Sequence, residues 1–307
     1  SPDGIQTGRR ELIMRLPWVV AAKNPSLKYH LSALPDPRSE RGRRHLLLDV
    51  MIMAVLATLC GADDWESVEA FGEEQEPWLR TFLELPNGIP SHDTFSRVFR
   101  RLDTHAFTEC FLDWTRAVRR KIPQDVVAID GKTLRASMDA DTSPLHMVSA
   151  WSSGNRMVLG QRAVDSKSNE IRAIPALLKV LDLRGCIVTI DAMGCQKNIA
   201  KAIREDRFYI STMPMHEVEA IAEGVRSQWG IENSLHWVLD VAFNEDRNRT
   251  RKGTASESGA LLRHIVLNLL RQDTASKRSI KNRRMKAALN PAYRLEALMG
   301  FRQEDVN

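Results

Sequence analysis

The pattern of the chain changes at Lys121-Ile122-Pro123, and this change constrains the fold more than any other feature. Before it, apolar residues recur at helical spacing, so we expect helices throughout residues 1–120. After it, short β-branched runs alternate with helical segments, which is typical of a mixed α/β sheet with helices on both faces. Beyond Asp246 the chain is basic and helical again. We therefore predict a helical N-terminal domain (1–120), an α/β core (121–250) and a basic helical C-terminal segment (251–307).

Individual elements follow from apolar periodicity and from capping residues. In the N-terminal part, we predict a buried helix Leu46–Leu59, a helix that starts in a capping box formed by Asp63 and Glu66, and a short helix Pro77–Leu85. Two further helices are predicted to begin at the hydroxyl caps Ser91 and Thr104. In the core, we predict strands Val126–Ile129, His146–Trp151, Met157–Val164, Cys186–Ile190 and Phe208–Thr212, and helices Ile171–Leu183, Lys197–Ile203 and Glu217–Leu239. Two more helices, Ser256–Arg271 and Lys277–Leu289, follow, with a break at Asn290-Pro291.

Composition excludes several classes of protein. Hydrophobic residues make up 43% and charged residues 27% of 307 residues, which is ordinary for a globular chain and excludes a disordered, collagen-like or coiled-coil protein. No apolar run reaches about 18 residues, so no membrane helix is predicted. The four cysteines are far apart and form no C-x-x-C pair, which indicates reduced thiols rather than a zinc site or a disulfide frame. We expect a cytoplasmic protein.

Basic residues are grouped in three runs, and the formal net charge is +5. Any one run is explained equally well as a solvated face, but three in one chain favour a nucleic-acid partner. The helix after Ser91 is our choice for reading base edges, because a Gly-Ile-Pro loop precedes it as in a helix-turn-helix entry. The runs are Arg38, Arg41, Arg43 and Arg44; Arg97, Arg100 and Arg101; and Lys277, Arg278, Lys281, Arg283, Arg284 and Lys286.

Two predicted strands each end in an aspartate, at Asp130 in "VVAIDGK" and at Asp191 in "CIVTIDAMG". Carboxylates at the carboxyl ends of neighbouring buried strands emerge at the open edge of the sheet, where ligands bind. Two carboxylates that close repel each other unless a divalent cation stabilises both ionised forms, and oxygen ligands suit Mg²⁺ or Mn²⁺. The alternative is that each aspartate simply caps a strand or turn.

A third acidic residue, Glu232, falls on the apolar stripe of the helix Glu217–Leu239, three residues after Trp229. A carboxylate on a buried stripe is costly unless it is paired or coordinated. His236 lies one turn later and would form either a second ligand or, as we prefer, a hydrogen-bond partner that orients Glu232; a core histidine is the third possibility. Asp240 is a weaker candidate, and Glu245-Asp246 is expected to be a solvated acidic corner.

Several segments between about His30 and Leu270 resemble bacterial insertion-sequence transposases of the DDE type, in the group called H-repeat-associated or ISAs-type. The resemblance implies a ribonuclease-H-like catalytic core behind a helical N-terminal domain. It places the acidic triad of the family on Asp130, Asp191 and Glu232. The segments are "DPRSERGRRHLLLDV", "AIDGKTLR", "HMVSAW", "LGQRAVDSKSNEI", "TIDAMGCQ" and "WGIENSLHWVLDVAFNEDRNRTR".

The resemblance also implies an activity and partners. The triad would hold two Mg²⁺ (or Mn²⁺) ions that serve hydrolysis at a transposon end and then transfer of the freed 3′-OH into target DNA. No covalent protein–DNA intermediate is expected. The partners would be double-stranded DNA and further copies of the chain at the bacterial nucleoid. The resemblance also places Arg247, Arg249 and Arg251 near the DNA. The residues themselves add Arg97 and Arg101, from the basic edge of the Ser91 helix, and Lys132, which is equally well explained as a surface lysine.

The chain departs from the family after Arg204, where family members carry a longer segment. Here "KAIRE" runs straight into "DRFYIST", so Asp191 and Glu232 are only 41 residues apart. Either the protein has an internal deletion here, or residues of the natural chain are missing from this sequence. If the deletion is real, a domesticated or defective DNA-binding relative without catalysis is an alternative. A structure-specific, metal-dependent nuclease is a second, and an enzyme that uses paired carboxylates on a sugar or phosphate ester is a third, against which the basic runs argue.

Overall fold

The computed structural model describes residues 24–137, 144–164, 170–190, 224, 227–248 and 250–301. The N-terminal part is helical, as predicted, and its helices are α1 Leu27–Leu31, α2 Leu47–Cys60, α3 Trp65–Leu79, α4 His92–Phe99 and α5 Thr104–Val118. The strands are β1 Val126–Thr133, β2 His146–Ser152, β3 Met157–Val164 and β4 Ile187–Ile190, and helix α6 Glu170–Val180 precedes β4. The later helices are α7 Trp237–Phe243, α8 Ala255–Arg271, α9 Ile280–Leu289 and α10 Pro291–Met299.

The four described strands form one mixed sheet in the order β3-β2-β1-β4. β2 pairs antiparallel with both β1 and β3. β4 pairs parallel with β1, which places Ile190 opposite Ile129. Asn268 of α8 fastens the outer strand to the helical layer: its side chain accepts from the Val158 N–H and donates to the Val158 carbonyl, both at 2.8 Å. The predicted mixed α/β fold is thus confirmed at the level of its sheet and helices.

The main hydrophobic core joins the N-terminal and C-terminal helices. α2 is buried along most of its length, because its sequence is apolar on every side, and α8 packs against it. A smaller core lies between the sheet and α6, around Val188, Leu177 and Val148. The division at residues 120 and 250 stays a prediction, and the shared core crosses both boundaries.

The structure corrects several local predictions. The cap of α3 is Asp64, not Asp63: its carboxylate accepts from the Ser67 N–H at 2.8 Å. Pro77 lies inside α3, so no separate helix Pro77–Leu85 forms. Asp103, not Thr104, caps α5. A helix that the sequence did not predict, α10, begins where we expected only a break, because the Asn290 side chain caps it and proline is well tolerated in a first turn. The elements Lys197–Ile203 and Phe208–Thr212 lie outside the described residues.

Not all of the basic residues serve a solvated or DNA-facing surface. Arg283 is buried and donates to the carbonyls of Leu270, Asp273, Ser276 and Arg278. Arg284 is buried and donates to the Thr58 and Ala242 carbonyls, and Arg38 is held by Asp36. These three arginines satisfy orphan carbonyls and a carboxylate within the fold, so counting them toward a nucleic-acid surface was wrong. No helix in the described part of the chain combines the length and apolar character needed to span a bilayer.

Candidate active site

Strand β1 carries the first site residue where its burial ends. Val126–Ile129 is fully buried, and Asp130 follows as the first partly exposed position of the strand. The Gly131 N–H donates to Asp130 Oδ1 at 2.9 Å. Asp130 lies within β1, opposite Ser149 of β2, and is the first residue of β1 beyond the last position paired with β4.

The second carboxylate stands on the helical segment that precedes α7. This segment contains a π-helical turn over Glu232–His236, in which the Trp237 N–H donates to the Glu232 carbonyl. Such turns are rare in proteins, and those that occur are often found at functional sites. One turn earlier, Gln228 Nε2 donates to the Ile129 carbonyl at 3.2 Å and anchors the segment on β1, next to Asp130. The sequence offered no signal for the π-turn or for this anchor.

Asp130, Glu232 and His236 form a cluster: each offers one ligand atom, and these atoms lie within 4.8 Å of one another. His236 Nδ1 is 3.1 Å from Glu232 Oε2 and 3.7 Å from Asp130 Oδ2. The predicted pairing of His236 with Glu232 is thus present. Two carboxylates and one imidazole make a donor set that can bind a divalent cation.

The burial of the cluster differs from our expectation. The Glu232 side chain is 56% exposed and Trp229 is 71% exposed, so placing both on a buried stripe was wrong. The inner face of the helix is formed instead by Ile231 and Leu235, and the π-turn shifts the positions after Glu232 away from a regular 3.6-residue repeat. His236 is buried, and its Nε2 has no hydrogen-bond partner among the described residues. The carboxylates thus face solvent while the imidazole supports them from within.

Lys132, two residues after Asp130 on the same side of β1, is the centre of a second charged group. Its ammonium contacts the Asp240 carboxylate and lies 2.9 Å from Glu245 Oε2, and Arg263 Nε donates to Glu245 Oε1 at 2.8 Å. We call these four residues the Lys132 network. Lys132 is only 12% exposed, which excludes a plain surface lysine. A DNA-phosphate contact by Lys132 stays a prediction.

Glu245 is buried, so the expectation of a solvated acidic corner at Glu245-Asp246 was wrong for this residue. Burial by itself raises the pKa of Glu245, but the charges of Arg263 and Lys132 more than offset it and hold the pKa at about 2. Burial lowers the pKa of the adjacent His264 to about 3, so this imidazole is neutral. Lys132 responds in the opposite sense: burial lowers its pKa, and Glu245 and Asp240 raise it above the ordinary value. The network is therefore a set of fixed, mutually compensated charges.

The remaining predicted site residues fall into two groups. Asp191 and Arg249 lie outside the described residues. Arg97, Arg101, Arg247 and Arg251 are all exposed, as a DNA contact requires, although their role stays a prediction. The residues that sequence reasoning missed are Gln228, Arg263 and His264; only spatial proximity reveals them, because each acts on a residue far away in the chain.

Comparison with known families agrees with this arrangement. The profile described as "Transposase DDE domain" matches residues 121–269, and the profile "DDE_Tnp_1-associated" matches residues 28–115. Together they cover the helical N-terminal part and the sheet with its helices. The chain is thus a DDE-type transposase by family.

Individual relatives define the group more closely. The chain is 32% identical to the putative transposase YncI of Escherichia coli O157:H7 (91% of this chain, 97% of that protein). It is 31% identical to the H repeat-associated putative transposase YhhI of Escherichia coli (strain K12) (89% and 98%). It is 42% identical to an uncharacterized protein encoded 3′ of dhlA in Xanthobacter autotrophicus (72% and 82%). The chain belongs to the H repeat-associated family of DDE-type transposases.

These alignments also bear on the shortened segment. The alignment with the first relative spans 379 positions, whereas 91% of this chain is about 279 residues, so roughly 100 positions have no residue of this chain opposite them. This difference is consistent with the missing stretch inferred after Arg204. Among solved structures, the cryo-EM structure of a piggyBac transposase synaptic complex with hairpin DNA aligns with 92% of this chain and 80% of that chain at 9% identity and a TM-score of 0.41, a likeness too weak to define the fold.

Proposed function

We propose that this chain is an active DNA transposase that hydrolyses the phosphodiester at a transposon end and joins the freed 3′-OH to target DNA. The observation that carries the proposal is the convergence of Asp130, Glu232 and His236 beside the end of β4, in a chain that belongs to a transposase family. Two carboxylates that lie this close together repel each other, and a divalent cation would compensate that repulsion.

The sheet supports a ribonuclease-H-like core. In the order β3-β2-β1-β4, β1 and β3 are each antiparallel to β2, and β4 is parallel to β1. This arrangement is compatible with such a core. Asp191 directly follows Ile190, the residue opposite Ile129, and Asp130 directly follows Ile129. Chain connectivity alone therefore supports Asp191 as the third carboxylate, since consecutive Cα atoms are about 3.8 Å apart.

The donor set fits Mg²⁺ or Mn²⁺, which prefer carboxylate oxygen ligands. Asp130, Asp191 and Glu232 would hold the ions, and His236 would donate from Nδ1 to Glu232 and so fix its orientation. When bound, the ions supply Lewis acidity at the phosphodiester and a nucleophile at neutral pH. The exposure of Glu232 fits this role, because a cation held by a carboxylate that faces solvent would be accessible to a DNA phosphate.

The other residues of the site hold these groups in place. The Gly131 N–H donates to Asp130 Oδ1, and Gln228 ties the Glu232 segment to β1 through the Ile129 carbonyl. Lys132 is bound within its network, so its charge stabilises the carboxylates around it rather than a free anion in solution. Substrate positioning then depends on exposed arginines, such as Arg247, which lies two residues after Glu245 of the Lys132 network.

The test is a cleavage assay and a strand-transfer assay on duplexes that carry the inverted repeats flanking the coding sequence. We expect Mg²⁺- or Mn²⁺-dependent 3′-OH formation by the wild type, and its loss in Asp130→Asn, Asp191→Asn and Glu232→Gln. Asp182→Asn is the matched control, since this exposed carboxylate pairs with Arg184 and lies outside the site. Full activity of Asp130→Asn would contradict the proposal.

Two alternatives remain distinguishable. The shortened segment after Arg204 favours a DNA-binding relative without catalysis, which would bind the ends but never nick them with either metal. A structure-specific nuclease would cleave but would not join pre-cut ends, so strand transfer with pre-cut substrates separates it from a transposase.

A further inference from the structure

Two basic runs that are 150 residues apart in the sequence meet in the fold. Arg97, Arg100 and Arg101 lie at the end of α4, and Arg247 and Lys252 lie in the segment between α7 and α8. We propose that these five residues, which we call the α4–loop surface, form one binding surface for the phosphate backbone of duplex DNA. The proposal rests on the proposed function for its choice of DNA, and it names the surface that this function leaves open.

The two runs are joined by hydrogen bonds rather than by mere proximity. The Thr254 N–H donates to the Arg100 carbonyl at 3.3 Å, and Thr254 Oγ1 lies 3.2 Å from the Phe99 carbonyl and 3.1 Å from the Leu102 carbonyl. The Thr254 N–H thus binds one carbonyl, and its single O–H lies within reach of two more, at the end of α4 where helical carbonyls lack intrahelical partners. The loop is therefore fixed on α4 before any DNA arrives.

Gly253 makes this contact possible. Its φ is +59°, in the left-handed region that favours glycine, and a Cβ at this position would lie 2.4 Å from the Arg100 carbonyl oxygen. No other residue fits here without displacing either the loop or the end of α4. Gly253 therefore holds Lys252 beside Arg100.

The charges of this surface are not neutralised within the described part of the protein. All five side chains belong to exposed residues, and no described carboxylate lies within 4.0 Å of any of them. The acids closest in sequence are Asp103, which accepts from two backbone N–H groups of α5, and Asp246, which lies 4.0 Å from Lys132 Nζ and 3.7 Å from Arg135 Nε. Arg97 lies in the last turn of α4 and Arg101 lies two residues beyond its end, so both charges belong to the same helix end. Like charges without an ion-pair partner are what a polyanion would bind.

The surface starts next to the carboxylate cluster. Asp246 lies 4.0 Å from Lys132 Nζ on β1, and Gly253 follows it seven positions later in the chain. An extended chain of that length spans at most about 25 Å, which is less than the roughly 34 Å of one turn of B-DNA. A single duplex can therefore contact α4 and the loop while its scissile phosphate lies near Asp130.

The basic run near the C-terminus provides a matched control. Lys277 and Arg278 are also exposed, and they belong to a different part of the surface, where the neighbouring Arg283 and Arg284 are buried structural residues. Removing two charges there changes the net charge of the protein as much as removing two from the α4–loop surface. Long-range electrostatics would respond equally to both changes, whereas direct phosphate contacts would not.

The experiment measures binding of a labelled transposon-end duplex by fluorescence anisotropy in EDTA, between about 50 and 200 mM salt. We expect Arg100→Ala/Arg101→Ala and Arg247→Ala/Lys252→Ala each to reduce the slope of log K against log salt by about 2. Lys277→Ala/Arg278→Ala should leave the slope unchanged. Gly253→Ala and Thr254→Val remove no charge, yet should weaken binding because the loop no longer rests on α4; urea unfolding of both variants verifies that they fold.

Three results would overturn the proposal: an equal effect of the Lys277/Arg278 pair, no effect of either α4–loop pair, or tighter binding of duplex RNA than of duplex DNA. Because EDTA removes divalent metal, binding is measured independently of catalysis. If the α4–loop variants lose binding but still cleave transposon ends, cleavage does not need this surface. If the wild type binds the duplex but does not cleave it when Mg²⁺ is added, the proposed function is contradicted and the binding surface is not.

Discussion

Substitution of Glu245 by glutamine should destabilise the fold strongly, although Glu245 is not one of the carboxylates proposed to bind a metal ion. Its carboxylate is 2% exposed and accepts from both Lys132 and Arg263. Breaking a buried ion pair costs about 3–5 kcal/mol, because the partner charges remain buried. The lowering of the Glu245 pKa from 4.5 to about 2 gives a similar figure, about 3 kcal/mol, at about 1.4 kcal/mol per unit.

The pH dependence gives this prediction a sign. The pKa of Glu245 is lower in the folded than in the unfolded protein, so its stabilising effect is complete above about pH 4.5 and is lost as the pH falls toward 2. Urea unfolding should therefore show a large difference between the wild type and Glu245→Gln at pH 7. That difference should shrink steadily below pH 4.5.

A double variant separates the network from a general loss of packing. Glu245→Gln/Arg263→Met removes both members of one pair and leaves Lys132 with Asp240. We expect it to lose less stability than the sum of the two single variants. A loss below about 1 kcal/mol in Glu245→Gln, or strict additivity in the double variant, would refute the assignment of a buried, compensated charge.

Three further predictions follow from other contacts. His236→Ala should weaken Mn²⁺ binding about 10–100-fold, measured by calorimetry, because Glu232 loses its orienting donor; unchanged affinity would exclude this role. Asn268→Leu should cost about 1–3 kcal/mol for each of the two Val158 backbone groups that it leaves unpaired, measured by urea unfolding, and a neutral result would contradict it. Gly72→Ala should lower the free energy of unfolding by about 1–3 kcal/mol, because the added Cβ would lie 2.6 Å from Ile89 Cγ2. Ile89→Val in the same chain should restore part of this loss, and a Gly72→Ala variant more stable than the wild type would contradict the prediction.

Local periodicity predicted the secondary structure of this chain well. β2 and β3 begin at the predicted residues, and the predicted ends lie within one residue of the observed ends. Asp130 was predicted as a site residue because a buried β-branched run ends there, and that is where the structure begins to expose the strand. The spacing of Glu232 and His236 likewise predicted a contact that the structure contains. Each of these signals depends only on neighbours in sequence.

What the sequence could not reveal depends on distant partners. The π-turn has no periodicity of its own, so a regular helix was assumed and Glu232 was placed on a buried stripe. Glu245 resembled a solvated acid because the residues that neutralise it, Lys132 and Arg263, are 113 and 18 residues away. Arg284 resembled a DNA-binding residue because the Thr58 carbonyl that holds it is 226 residues away. Burial of a charge is decided by three-dimensional contacts, which a charge run does not show.

The central claim is that Asp130 and Glu232, together with Asp191, bind divalent cations. Equilibrium titration with Mn²⁺, followed by calorimetry on the full chain, tests it most directly. We expect saturable binding that is abolished or strongly weakened in Asp130→Asn, Asp191→Asn and Glu232→Gln and is unchanged in Asp182→Asn. Binding that survives the first three substitutions, or no saturable binding by the wild type, would contradict it.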